Sequence, residues 1–208
     1  VPSTERRGTK SPIRPTAPPP GVVRLGEPLR RKLERYVEEL LRWGAKTNLV
    51  GPAILRDPWP AIEEALAARE LFPSPPSLLL DIGSGGGLPA IPLAIGWGCP
   101  VLLLEPRQKR WAFLVRMLRE LEIEGEALDR GWQELLADPG GWRPDAVSCR
   151  ALGGAREWGA ALRPVLASPA RLFWFSGPNE EETIDGFVHE RTAPLFEPGH
   201  LLRVFRTA

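Results

Sequence analysis

The stretch Leu78-Leu79-Leu80-Asp81-Ile82-Gly83-Ser84-Gly85-Gly86-Gly87-Leu88-Pro89 decides the fold. An apolar run ends on an acid, four of the next five residues after Ile82 are glycine, and a helical pattern follows. This reads as a strand, a tight turn and the start of a helix. Glycine accepts positive φ and lets a ligand approach the backbone closely. A G-x-G-x-x-G dinucleotide fingerprint beginning at Gly83 would need a third glycine at 88, where Leu88 stands. Pyrophosphate is therefore a poor fit. Asp81 suits a cationic or hydroxyl-rich ligand better than a phosphate. Asp81, Gly83, Ser84, Gly85 and Gly87 are the candidate ligand contacts of this turn.

Working outward, short apolar runs alternate with helical patterns. Strands are predicted at 77–82, 101–104, 126–128, 145–149 and 171–175, and helices at 88–97, 107–122, 132–137 and 154–163. Such alternation predicts an α/β protein with a parallel sheet covered on both faces. Two closely joined strands, 187–192 and 201–205, must then be antiparallel. The expected fold is a seven-stranded, mostly parallel, Rossmann-like sheet with a C-terminal antiparallel pair. Amphipathic helices at 28–43 and 59–70 precede it. Residues 1–24 carry six prolines and a charge of +4, leaving −3 on the remainder. They are expected to form a disordered tail, followed by a helical cap over 25–75 and the sheet domain over 76–208.

The composition limits the chemistry. The 208 residues carry a net charge of +1, which excludes a globally basic nucleic-acid coat but not a local basic patch. The run Arg24, Arg30, Arg31, Lys32 and Arg35 is a candidate for such a patch, or a solvated helix face. Two cysteines and two histidines make a poor zinc set, so no metal is expected. No run approaches 18 apolar residues, so no membrane span is expected, and the cysteine usage fits the cytoplasm.

Glu105 ends the next predicted strand, 24 residues after Asp81. An acid there can accept both ribose hydroxyls of an adenosine ligand. Together with the glycine turn, it resembles the cofactor motif of S-adenosylmethionine-dependent methyltransferases. Further segments narrow the resemblance: Leu41-Arg42-Trp43-Gly44-Ala45-Lys46-Thr47-Asn48-Leu49-Val50, Arg56-Asp57-Pro58, Lys109-Arg110-Trp111-Ala112-Phe113-Leu114, Cys149-Arg150-Ala151 and Gly199-His200-Leu201. In order and spacing they resemble the bacterial small-subunit ribosomal RNA guanine-N7 methyltransferases, the glucose-inhibited division protein B family. That resemblance implies S-adenosylmethionine as cofactor. It places Gly83 and Leu88 along its cavity, Glu105 at the ribose, Trp132 and Gln133 around the adenine, and Arg150 at the mouth beside the transferring methyl. Asn48 would offer amide contacts to the base, or cap the turn after the first long helix.

The chain departs from the family at the RNA side. The Arg-His pair that follows Arg-Asp-Pro in the family is absent from 61–69, and Ser176-Gly177 stands where the family has Lys-Gly. Glu180-Glu181-Glu182 follow and would repel phosphate. A lysine introduced at Ser176 is expected to restore an RNA contact. The implied activity is methyl transfer to guanine N7 of ribosomal RNA or the small subunit, by a monomer. The alternatives are a methyltransferase-fold paralogue with another acceptor, or a non-catalytic RNA- or ribosome-binding module.

Overall fold

A computed structural model describes residues 16–44, 46–150, 155–178 and 183–208. Its elements run α1 (Pro20–Val23), α2 (Glu27–Gly44), α3 (Pro52–Arg56), α4 (Trp59–Leu71), β1 (Leu79–Ile82), α5 (Ala90–Trp97), β2 (Val101–Leu104), α6 (Gln108–Glu120), β3 (Gly125–Leu128), α7 (Trp132–Ala137), β4 (Ala146–Arg150), α8 (Ala155–Leu162), a 3-10 turn (Arg163–Val165), β5 (Arg171–Ser176), β6 (Phe187–Pro194) and β7 (Leu201–Thr207). The seven strands form one sheet in the order β3-β2-β1-β4-β5-β7-β6. The first five are parallel, and β7 joins both β5 and β6 in antiparallel register. No helix among the described residues is long and apolar enough to cross a membrane.

The central strands are apolar at nearly every position because both faces are covered. Side chains alternate between faces. Leu79, Val101, Leu103, Phe173 and Phe175 enter one core with α2, α4, α5 and α6, while Leu80, Leu102, Leu104, Leu172 and Trp174 enter a second with α7 and α8. The cap helices therefore share a core with the sheet. At the far edge β6 is mostly exposed, carries His189, Glu190 and Arg191, and bulges between His189 and Arg191. Charge and a bulge keep an edge strand from pairing with another chain.

The expected tail is corrected over its last residues. Residues 1–15 lie outside those described, but Thr16 onward runs along the cap. Thr16 Oγ1 donates to Asp57 Oδ1 at 3.0 Å, and Trp59 Nε1 donates to the Thr16 carbonyl at 2.8 Å. Pro20 opens the single turn α1, which carries Val22 into full burial. Proline content dominates the sequence there, and one apolar residue was too weak a periodic signal to oppose it.

Candidate active site

Strand order reverses between β1 and β4, and α/β sheets bind ligands in the crevice at the carboxyl ends flanking such a point. The glycine turn leaves β1 there. Gly83, Gly85 and Gly87 all have positive φ, at 69°, 55° and 90°. A Cβ on Gly87 would also stand 2.4 Å from Ile91 Cδ1, so a side chain there would strain the backbone and displace Ile91. The turn is held from several sides. Ser84 N–H donates to the Leu104 carbonyl at 2.9 Å, and Tyr36 Oη donates to the Gly86 carbonyl at 2.7 Å.

Glu105 is buried at the end of β2. Its Oε2 accepts from the Gly85 N–H and its Oε1 from the Arg107 N–H, each at 2.9 Å. These bonds fix the carboxylate against the glycine turn, and each oxygen retains a second lone pair for a hydroxyl. Arg110 Nη1 stands 3.8 Å from Oε2.

A cavity of about 540 Å³ opens between these groups. That volume falls within the range of small-ligand sites. Among the sequence candidates, Gly83, Ser84, Gly85, Leu88, Glu105, Trp132, Gln133 and Arg150 line it together. Asp81, Gly87 and Asn48 do not. Asp81 lies buried beneath the turn, where the Ser148 hydroxyl of β4 donates to its Oδ1. Burial pushes the Asp81 carboxyl up to about 7, against the Ser148 and Ser84 hydroxyls and the Arg150 charge, which lower it. Asp81 thus lies beneath the turn, outside the residues that line the cavity. Gly87 packs inward against Ile91 and Leu114. Asn48 is exposed in an adjoining groove. It does not cap α2 either: Thr47 Oγ1 donates to the Trp43 carbonyl at 2.9 Å.

Arg150 ends β4 at the cavity wall. Its guanidinium carbon lies 5.1 Å from the Phe175 ring centre, and Nη1 donates to Glu64 Oε2 at 2.8 Å. Nε and Nη2 are buried and have no acceptor among the described residues. Such donors are costly unless a ligand supplies an acceptor. Glu64, fully buried in α4, was not singled out in the sequence. It also accepts from His200 Nδ1 at 3.0 Å and from the Glu197 N–H at 3.2 Å. The available signal was position: Glu64 shares a helical face with buried Ala61, Ala65 and Ala68. The stretch lacking the family's Arg-His pair therefore supplies a carboxylate, and β7 brings a histidine to it.

Ser176 is a second correction. It is buried, and Arg203 Nη1 donates to its hydroxyl and to the Gly177 carbonyl at 2.8 Å. A lysine at 176 would face that guanidinium rather than RNA. Arg203 itself is buried over Trp174 and bonded to loop carbonyls, so it is a clamp and not a replacement RNA contact. Glu180-Glu181-Glu182 lie outside the described residues.

The fold resembles solved methyltransferases. It resembles the putative methyltransferase yhhF from Escherichia coli with a TM-score of 0.59 at 16% identity, covering 71% of this chain and 85% of that one. It also resembles the Burkholderia thailandensis 1,6-didemethyltoxoflavin-N1-methyltransferase, solved with S-adenosylhomocysteine, with a TM-score of 0.54 at 14% identity over 71% and 78% of the two chains. Sequence relatives are more specific. The chain is 34% identical to ribosomal RNA small subunit methyltransferase G of Gluconobacter oxydans over 70% of this chain and 74% of the relative. It is 38% identical to that of Rhodospirillum rubrum over 83% and 88%. The family model described as GidB, rRNA small subunit methyltransferase G, matches residues 29–197. With that match spanning the cap, the glycine turn and the strand ends around the cavity, the chain belongs to the rRNA small subunit methyltransferase G family.

Proposed function

We propose that the chain binds S-adenosylmethionine in the 540 Å³ cavity and directs its methyl group to guanine N7 of small-subunit ribosomal RNA. When bound, S-adenosylmethionine supplies an electrophilic sulfonium methyl. The fit to this chain rests on three features. The glycine turn leaves its backbone bare, Glu105 is fixed with lone pairs open to ribose hydroxyls, and Arg150 keeps two buried donor nitrogens without acceptors among the described residues. Trp132 and Gln133 line the same cavity, where they would frame an adenine.

The observation that carries the acceptor assignment is the make-up of the wall. Among the described residues lining the cavity, Glu105 is the one acidic side chain, and there is no histidine, cysteine or lysine. Guanine N7 attacks through a lone pair and carries no proton. Its methylation therefore needs orientation rather than a general base. Arg150, held at Nη1 by Glu64, would orient the acceptor edge from the cavity wall. A non-catalytic module is not favoured, since the family is one of methyltransferases.

The test separates the donor and acceptor sides. Arg150→Ala strands the buried Glu64 carboxylate, so Arg150→Lys is the cleaner variant: it keeps a cation for Glu64 and loses the planar fork. It is expected to lower methyl transfer to undermethylated small subunits at least tenfold, with donor affinity by calorimetry within about twofold. Equal losses in both would move Arg150 to the donor side, and no loss in either would remove it from the site.

A further inference from the structure

A second concavity, about 690 Å³, lies beside the cofactor cavity. It is lined by the turn after α2 and the start of α6: Lys46, Thr47, Asn48, Arg107, Lys109 and Arg110 are among its residues. Arg110 Nε donates to the Asn48 carbonyl at 2.7 Å, which ties the two segments together. Arg107 and Arg110 line both concavities, so the groove opens onto the site.

The two basic regions of the chain differ in what neutralises them. On α2, Arg30 pairs with Glu34 at 2.8 Å, Arg31 with Glu27, and Arg35 with Glu39 at 3.1 Å and Glu120 at 3.2 Å. Lys32 Nζ donates to the Glu122 carbonyl at 3.4 Å. The three arginines of α2 in that run, a candidate RNA contact in the sequence, are thus ion-paired within the protein, while Arg24 and Lys32 have no ion pair among the described residues. In the groove, Lys46, Arg107 and Lys109 are exposed and form no ion pair among the described residues. Arg110 has only the distant Glu105 contact at 3.8 Å. The nearby acid Asp129 accepts from Gln108 Nε2 at 3.0 Å.

We propose that this groove seats the phosphodiester backbone of the RNA strand flanking the target nucleotide, with Lys46 and Lys109 as phosphate contacts. The inference rests on the RNA-methylating reading above and assigns where its acceptor docks. Uncompensated cations displace condensed counterions from RNA, which gives affinity without sequence preference. Their place beside Arg107 and Arg110 sets the bound strand at the mouth of the cofactor cavity. This also accounts for how the chain dispenses with the cations missing around residues 61–69 and 176: the RNA-facing charge lies at the α2–α6 junction instead.

The test uses the full chain and unmodified small-subunit ribosomal RNA transcribed in vitro. Binding is measured by filter retention across a salt series, and S-adenosylmethionine affinity by calorimetry. Lys46→Gln with Lys109→Gln is expected to weaken RNA binding at least tenfold at 0.1 M salt. It should flatten the slope of log affinity against log salt by about 1.5, for two lost contacts. Cofactor affinity should stay within about twofold, because both side chains are exposed and outside the cofactor cavity. Arg31→Gln with Lys32→Gln on α2 should change RNA affinity less than threefold. Unchanged RNA binding in the groove variant, or an equal loss from the α2 variant, overturns the groove while leaving RNA methylation standing. A parent chain that binds the cofactor but no RNA at any salt overturns both.

Discussion

Arg150, the proposed contact to the acceptor, is placed by a residue it does not neighbour in sequence. Glu64 accepts from Arg150, from His200 and from the Glu197 backbone while itself fully buried. Removing one member of a buried charged pair costs about 3–5 kcal/mol, so Glu64→Ala is expected to compromise folding. Glu64→Gln keeps the shape and one acceptor oxygen. It should fold, bind the donor within about twofold and lose roughly tenfold in methyl transfer; an unchanged rate would show that Arg150 does not depend on Glu64. Asp81 makes a separate prediction in pH. Its carboxyl titrates near 7 in the fold against 3.8 ordinarily. Between about pH 4 and 7 the native state holds a proton that the unfolded chain has lost, so this contribution to stability falls as pH rises across that window. Asp81→Asn has no such loss. The melting temperature of the variant minus that of the parent should therefore rise from pH 5 to pH 8, and a flat difference would contradict the raised titration. Neither residue's task was legible from composition. Asp81 was noticed, but a strand-end acid reads the same whether it faces a ligand or a serine on the next strand. Only the register that sets Asp81 opposite Ser148 decides between them.

At the scale of elements, α2 acts on the glycine turn. Tyr36, the one tyrosine of the chain, donates from the buried face of α2 to the Gly86 carbonyl. A Cβ on Gly86 would stand 2.7 Å from Val50 Cγ1 and 3.0 Å from Leu40 Cδ1, so the cap closes directly over the turn. Tyr36→Phe leaves that carbonyl buried and unpaired. It should cost about 1–3 kcal/mol, and should weaken S-adenosylmethionine binding as well. A melting temperature lowered with cofactor affinity intact would show that the cap only stabilises. The helix and its apolar stripe were plain in the sequence, but the tyrosine read as one more core residue because its partner lies 50 positions away. The short elements α1 and α3 were missed, since four or five residues carry no periodic signal. Starting the chain at residue 25 instead of 16 removes Val22 from the core and the Thr16 carbonyl from Trp59. Burial of one valine is worth about 1.5–3 kcal/mol. Comparing the two starts by thermal melting should show a drop of several degrees, whereas equal melting temperatures would make the segment a passive extension.

For the molecule as a whole, alternating strands and helices were legible because the central strands are apolar at nearly every position and the longer helices carry a periodic apolar face. The carboxyl ends of β1, β2 and β4 then had to converge, so Gly83, Ser84, Gly85, Glu105 and Arg150 fall around one cavity. The glycine turn was readable because backbone geometry restricts the residue type. Contacts among cap, sheet and the closing β-hairpin were not, because Glu64–His200, Tyr36–Gly86 and Ser176–Arg203 each join segments distant in sequence whose residue types have many other uses. The same holds for charge: counting cations pointed to α2, and only their contacts separate its ion-paired arginines from Lys46 after α2 and Lys109 on α6, which form no ion pair among the described residues. Methyl transfer from this cavity to small-subunit ribosomal RNA is the proposed activity. Its most direct test supplies the full chain with tritium-labelled S-adenosylmethionine and undermethylated small ribosomal subunits, then maps the label by nuclease digestion and mass spectrometry. Label is expected in the ribosomal RNA at guanine N7, abolished by Gly87→Ala and reduced by Arg150→Lys. Folded parent protein that binds the donor yet leaves the RNA unlabelled would contradict it.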